Sequence, residues 1–180
     1  MIKKKDYFVF DDAVPKYYQK QIYDHVLRSV EFPYAYRPDV NAHTDSFQPA
    51  FSHQFYFGRL NVESEHWFTF LPLAYLAADK INLNIKEIIQ ARSFLLYPIH
   101  EDFLLPHDQP HIDIEEEHTV IIYYANDSEG DTILFDDDKQ TELARISPKQ
   151  GRVLIFNGLQ YHCSTHPQTK MRCVINYNVR

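Results

Sequence analysis

The chain is poor in the residues that would place it in several familiar classes. Two cysteines in 180 residues, Cys163 and Cys173, are too few for a disulfide framework and lack CxxC spacing. They read as reduced thiols of a cytoplasmic protein. Four glycines, with no internal repeat or low-complexity segment, leave an ordinary soluble globular composition, 44% hydrophobic and 24% charged. No apolar run approaches transmembrane length, and Met1 to Lys5 lead into Asp6, Asp11 and Asp12 rather than into the apolar stretch of a signal peptide. Positive charge is scarce too. Lys and Arg number 18 against 25 Asp and Glu, a net charge of -7, which argues against general nucleic-acid binding, although a nucleotide substrate stays open. The basic run Lys3-Lys4-Lys5 reads as a solvated terminus.

Aromatic residues are abundant, with 13 Tyr and 13 Phe, and point to an aromatic interior or cleft. The length suits one domain over 1–180, with a helical and aromatic support region at 1–84 and a β-rich core at 85–180. Asp11-Asp12-Ala13-Val14-Pro15 is a helix entry, and Tyr17, Tyr18, Ile22, Val26 and Leu27 recur at helical spacing to about Val30. Residues 32–58 are irregular and aromatic, with His43 and His53, and read either as a surface connection or as a lid; 99–110 is a second candidate for the substrate entrance. A helix from Glu63 to Ala78 is apolar nearly all round, which predicts burial, with Pro72 as a kink or a break. Residues 85–97 open the β half, where Ile85 to Ile89 fit a helix end as well as a strand.

Short apolar runs then alternate with turn signals at 119–125, 132–135, 143–146, 152–156, 161–164 and 172–179. This spacing, after helices, predicts an α+β chain that is mainly β, a jelly roll with supporting N-terminal helices. The acidic runs Glu115-Glu116-Glu117 and Asp136-Asp137-Asp138 read as solvated loop charge.

Within this layout stands Pro110-His111-Ile112-Asp113. On an extended segment, residues i and i+2 share a face, so His111 and Asp113 can reach one metal ion. His162 follows the strand 152–156 and its Asn157-Gly158 turn, at the same mouth of the sheet. Two imidazoles and a carboxylate with other positions open suit a non-haem Fe(II) centre. His107 and His166 compete as ligands with poorer placement. Arg172, a cation on an otherwise apolar strand, needs an anion, and its fork fits a carboxylate.

His111-x-Asp113, His162 and Arg172, in this order over residues 91–180, resemble the 2-oxoglutarate and Fe(II)-dependent oxygenases, in particular the prolyl-4-hydroxylase-like branch and its small phage and bacterial members. The resemblance implies a double-stranded β-helix and a dioxygenase, a hydroxylase that uses Fe(II), 2-oxoglutarate and O2. It implies His111, Asp113 and His162 as the catalytic iron ligands, Arg172 as the clamp on the far carboxylate of 2-oxoglutarate, Tyr124 beside Arg172, and Tyr97 at the border of the co-substrate. Asp113 favours hydroxylation over halogenation, since halogenating members carry a small residue there. The Gly-rich segment that often precedes His-x-Asp in the family is absent from 99–110, so the substrate, whether protein side chain, nucleotide or small metabolite, does not transfer. Two readings outside this family are a cupin-like metal enzyme without 2-oxoglutarate and a non-catalytic jelly-roll binding protein.

Overall fold

A computed structural model of the chain describes residues 2–38, 48–60 and 62–180. In chain order the elements are β1 (Tyr7–Phe10), α1 (Lys16–Tyr23), β2 (Ala35–Arg37), β3 (Ala50–Phe57), β4 (Val62–Glu63), α2 (Trp67–Asp79), β5 (Ile88–Leu96), β6 (Thr119–Tyr124), β7 (Thr132–Phe135), β8 (Glu142–Ile146), β9 (Val153–Asn157), β10 (His162–Ser164) and β11 (Arg172–Val179). A large antiparallel sheet runs β1-β9-β6-β11-β5-β3-β2, and a small one runs β10-β7-β8.

Alternation along the strands explains why both faces of the large sheet are apolar. Cys173, Ile175 and Tyr177 of β11, Ile121 and Tyr123 of β6, and Val153 and Ile155 of β9 pack toward the helices. The residues between them, Val174, Val120, Ile122, Tyr124, Leu154 and Phe156, join Leu134 and Ile146 of the small sheet in a second core. The two sheets therefore face each other as in a jelly roll, and the strands predicted from 119 to 179 all form within a residue or two of their expected bounds. The ambiguous stretch resolves as a strand that starts at Ile88.

Four expectations are corrected. The N-terminal region is not only helical: β1 pairs with β9, and β3 pairs with β5, so residues read as an irregular connection form part of the large sheet. Residues 39–47 of that segment, including His43, lie outside the described residues. The second helix is not buried all round. Trp67, Phe70, Leu73, Ala74, Ala77 and Ala78 form one inward stripe, while Phe68 and Tyr75 are exposed; Pro72 stays inside a continuous helix. The first helix ends at Tyr23 and continues to Arg28 as a π-helical turn. Finally, the basic terminus and the acidic loop meet: Lys4 pairs with Asp137, and Lys5 pairs with Asp136 at 2.8 Å.

Two tyrosine hydroxyls fix α2 to the rest. Tyr177 of β11 donates to the Phe70 carbonyl and Tyr18 of α1 to that of Thr69, each at 2.6 Å. Beside this junction, Phe32 is ringed by His25, His53 and His66, with centroids 4.8–5.5 Å away. His53 Nδ1 donates to the Pro33 carbonyl, which leaves Nε2 to accept from the Ser64 hydroxyl at 2.8 Å; His25 Nε2 lies 3.0 Å from His66 Nδ1. Burial, and then the His66 imidazole, hold His25 below the ordinary histidine value; burial does the same for His53 against the raising effect of the Pro33 carbonyl.

A depressed histidine means that the unfolded chain binds protons that the folded chain refuses. Stability from this cluster is thus complete above about pH 6.5, the unfolded value, and is lost as pH falls below it. Melting temperature should drop by several degrees between pH 7 and 5, before most carboxylates titrate. A His25→Gln, His53→Gln double variant should reduce that slope, with the remainder coming from His162 and His166, which burial also depresses, and differential scanning fluorimetry across the range checks it.

Candidate metal centre

The residues before β6 extend the small sheet. His111 and His162 exchange backbone hydrogen bonds, N to O at 3.0 Å in both directions, and the Asp108 N–H donates to the Ser164 carbonyl at 2.8 Å. The two histidines are thus direct cross-strand partners, and their rings lie 4.8 Å apart. The turn that delivers His162 is tight. The Leu159 N–H donates to Asn157 Oδ1, the Gly158 N–H donates to the His118 carbonyl, and a Cβ on Gly158 would sit 2.2 Å from His118 Nε2. Only glycine allows that approach.

Each imidazole is turned by a carbonyl two residues before it. His111 Nδ1 donates to the Gln109 carbonyl and His162 Nδ1 to that of Gln160, both at 3.1 Å. A carbonyl can only accept, so both Nδ1 atoms carry a proton and both Nε2 atoms are turned toward Asp113. Burial, and then the charge of His111, hold His162 down to about 4, so its ring is neutral at physiological pH.

Asp113 leaves the small sheet and reaches the large one. Arg92 Nη2 on β5 donates to its Oδ1 at 2.6 Å, and Asn176 Nδ2 on β11 donates to its Oδ2 at 2.9 Å. Burial alone would raise its pKa; the Arg92 guanidinium, then the two imidazoles and Asn176, hold it well below the usual carboxylate range. Its oxygens lie 3.9 Å from His111 Nε2 and 3.9 Å from His162 Nε2, and the three ligand atoms fall within 4.8 Å of one another. Two imidazole nitrogens and one ionised oxygen are a donor set that fits Fe(II). Among the described residues no other such group of three His, Cys, Asp or Glu occurs, so His107 and His166 stand apart from it.

The three donors line a cavity of about 700 Å3 that also contains Arg172. Arg172 is 4% exposed, and among the described residues no carboxylate lies within ion-pair distance of its guanidinium. Asp108 accepts from the Ser164 hydroxyl instead, and Asp131 faces Arg145. Arg172 is held by backbone and hydroxyl: Nε donates to the Gly130 carbonyl at 2.6 Å and Nη2 to Thr132 Oγ1 at 3.0 Å. Tyr124 reaches the arginine only through Thr132, to which its hydroxyl donates at 2.8 Å. Tyr97 lies just past β5, half exposed and edge-on to Phe51, away from the cavity wall.

Sequence reasoning missed Arg92 and Thr132. Arg92 gave the same signal as Arg172, one cation on an apolar strand, while Thr132 gave none. The cysteines, both free and buried, sit on different cores.

No family model and no curated protein matches the sequence. Solved structures do match the fold. A 2OG-Fe(II) oxygenase family oxidoreductase from Burkholderia pseudomallei has a TM-score of 0.73 at 11% identity, over 96% of this chain and 84% of that one. A prolyl hydroxylase from Trichoplax adhaerens, in complex with a peptide fragment of a hypoxia inducible factor, has a TM-score of 0.68 at 13% identity, over 96% and 82%. A prolyl-4-hydroxylase from Pseudomonas putida has a TM-score of 0.65 at 12% identity, over 97% and 92%. The chain thus has the fold of these oxygenase structures, with His111, Asp113 and His162 gathered in its cavity.

Proposed function

We propose that this chain is a 2-oxoglutarate- and Fe(II)-dependent dioxygenase, a hydroxylase formed by residues 1–180 as one domain. The observation that carries the reading is one cavity with two unlike sites: a donor set of His111, anionic Asp113 and neutral His162, and a buried Arg172 without a carboxylate partner among the described residues. The first suits Fe(II); the second suits the far carboxylate of 2-oxoglutarate. Held by His111, Asp113 and His162, Fe(II) with 2-oxoglutarate and O2 would supply the oxidising chemistry for a substrate C–H bond.

The protein's part is to hold and to exclude. Nδ1 donation to Gln109 and Gln160 keeps both histidines oriented. Arg172, fixed by Gly130 and Thr132, orients the co-substrate, and Tyr124 braces Thr132 from behind. The second core, with Ile122 and Val174 on the cavity wall, limits water around the site. Glu115, Lys139 and Tyr161 stand on the wall as candidates to meet the substrate, with Lys139 4.5 Å over the Tyr161 ring. The substrate is a peptide segment or a small molecule, and two buried free thiols suit a cytoplasmic setting. No helix among the described residues is long and apolar enough to cross a membrane.

The test is anaerobic titration with Fe(II) and 2-oxoglutarate, read by the weak visible charge-transfer absorption of the chelate. The band should need both components. Fe(II) binding without the band would move the assignment to a cupin-like enzyme, and absence of metal binding would end it.

A further inference from the structure

Neither oxygen of Asp113 is free of the protein. Arg92 holds Oδ1 and Asn176 holds Oδ2, and these two residues are direct partners across β5 and β11. The side chain of Asp113 is 3% exposed, so water has little access to those positions. The histidines, by contrast, belong to the small sheet and its extension. The carboxylate is therefore the one member of the donor set whose orientation is fixed by the opposite sheet.

The leftover atoms of the clamp are informative. Arg92 Nε and Asn176 Oδ1 are buried and without partners, although buried polar atoms are normally satisfied. The atoms of these side chains that are satisfied are those aimed at Asp113. Arg92 is further steadied over the Phe94 ring, 5.0 Å from its centroid.

We propose that Arg92 and Asn176 are positioning residues that fix the orientation in which Asp113 meets the metal. The inference rests on the function proposed above. An unrestrained carboxylate rotates about its Cβ–Cγ bond. Here that rotation breaks two hydrogen bonds at once, one of them charge-assisted. A carboxylate that turned would present its oxygens differently between His111 and His162 and would change the space left for the co-substrate.

The experiment loads wild type, Arg92→Gln, Arg92→Lys and Asn176→Leu with Co(II) under nitrogen, records the visible spectrum, and then titrates 2-oxoglutarate. Circular dichroism and melting temperature confirm folding. The proposal expects an altered Co(II) spectrum in Arg92→Gln and Asn176→Leu, and 2-oxoglutarate affinity of the loaded protein weakened about tenfold or more beyond any change in metal affinity. Arg92→Lys keeps the charge but not the fork, so it should fall between; if the other two variants fail to fold, it carries the test alone. Unchanged spectra and unchanged 2-oxoglutarate affinity in folded, loaded variants would overturn the clamp and leave the functional reading standing. A wild type that binds no metal removes that reading itself.

Discussion

Asp113→Ala and His111→Ala should each reduce 2-oxoglutarate turnover to the level of enzyme-free iron, but only Asp113→Ala should also weaken the metal-free protein. Both remove one of three donors, and a centre with two cannot hold the ion in the same geometry. The difference lies in what each side chain does before metal arrives. The His111 side chain is 36% exposed, and the Gln109 carbonyl it bonds to can be reached by water once the ring is gone. Asp113 is the counter-ion of Arg92 and the acceptor for Asn176, both on the cavity wall.

Breaking a buried ion pair from one side costs about 3–5 kcal/mol, because the remaining charge is left unpaired. Arg92 retains 24% side-chain exposure, so water recovers part of this, and a loss of about 1–3 kcal/mol is expected. For a chain of this size that is a fall of roughly 2–12 °C in melting temperature. Asp113→Asn keeps the shape and an oxygen acceptor and should recover much of the stability without turnover. Equal melting temperatures for the His111 and Asp113 variants would show that the Arg92 pair contributes little.

The parts of this site that were legible in the sequence are those with a period or a motif behind them. His111 and Asp113 share an i, i+2 relation, and Arg172 opens a strand whose alternation is plain from Arg172 to Val179. The cross-strand meeting of His111 with His162 follows from the order of strands in a jelly roll. Arg92 was written as clearly, yet it lies in a stretch whose start fitted helix and strand equally, so the face on which it stands was undefined until β5 was seen beside β11. β3 was hidden for another reason: His53, Gln54, Phe55 and Tyr56 do not alternate, and its pairing with β5 shifts register between Gln54 and Tyr56. The ion pairs of Lys4 and Lys5 with Asp137 and Asp136 join residues more than a hundred positions apart, which no local pattern encodes. The tyrosine roles came by resemblance alone, and the placement of Tyr124 behind Thr132 depends on side-chain packing that spacing does not specify.

Gly130→Ala should imitate Arg172→Ala, although it changes no charged group. A Cβ at position 130 would lie 2.5 Å from Arg172 Cδ and 2.8 Å from the Thr165 carbonyl oxygen. The backbone oxygen cannot yield easily, since the Thr165 N–H is itself bonded to the Asp131 carbonyl at 2.9 Å, so the arginine stem must move. Movement breaks the Nε bond to the Gly130 carbonyl and the Nη2 bond to Thr132, and it swings the guanidinium off the line on which a carboxylate would meet it. Bidentate contact is sensitive to such a shift in a way that a point charge is not. The 2-oxoglutarate concentration for half-saturation should rise about 10- to 100-fold in both variants, equivalent to about 1.4–2.8 kcal/mol. Fe(II) affinity should stay near wild type, because His111, Asp113 and His162 touch neither residue in the hydrogen-bond network. Arg172→Lys should not rescue, as an ammonium lacks the fork that engages Gly130 and Thr132 together. Wild-type 2-oxoglutarate saturation in a folded Gly130→Ala protein would mean that Arg172 finds another anchored position, and would remove Gly130 from the site.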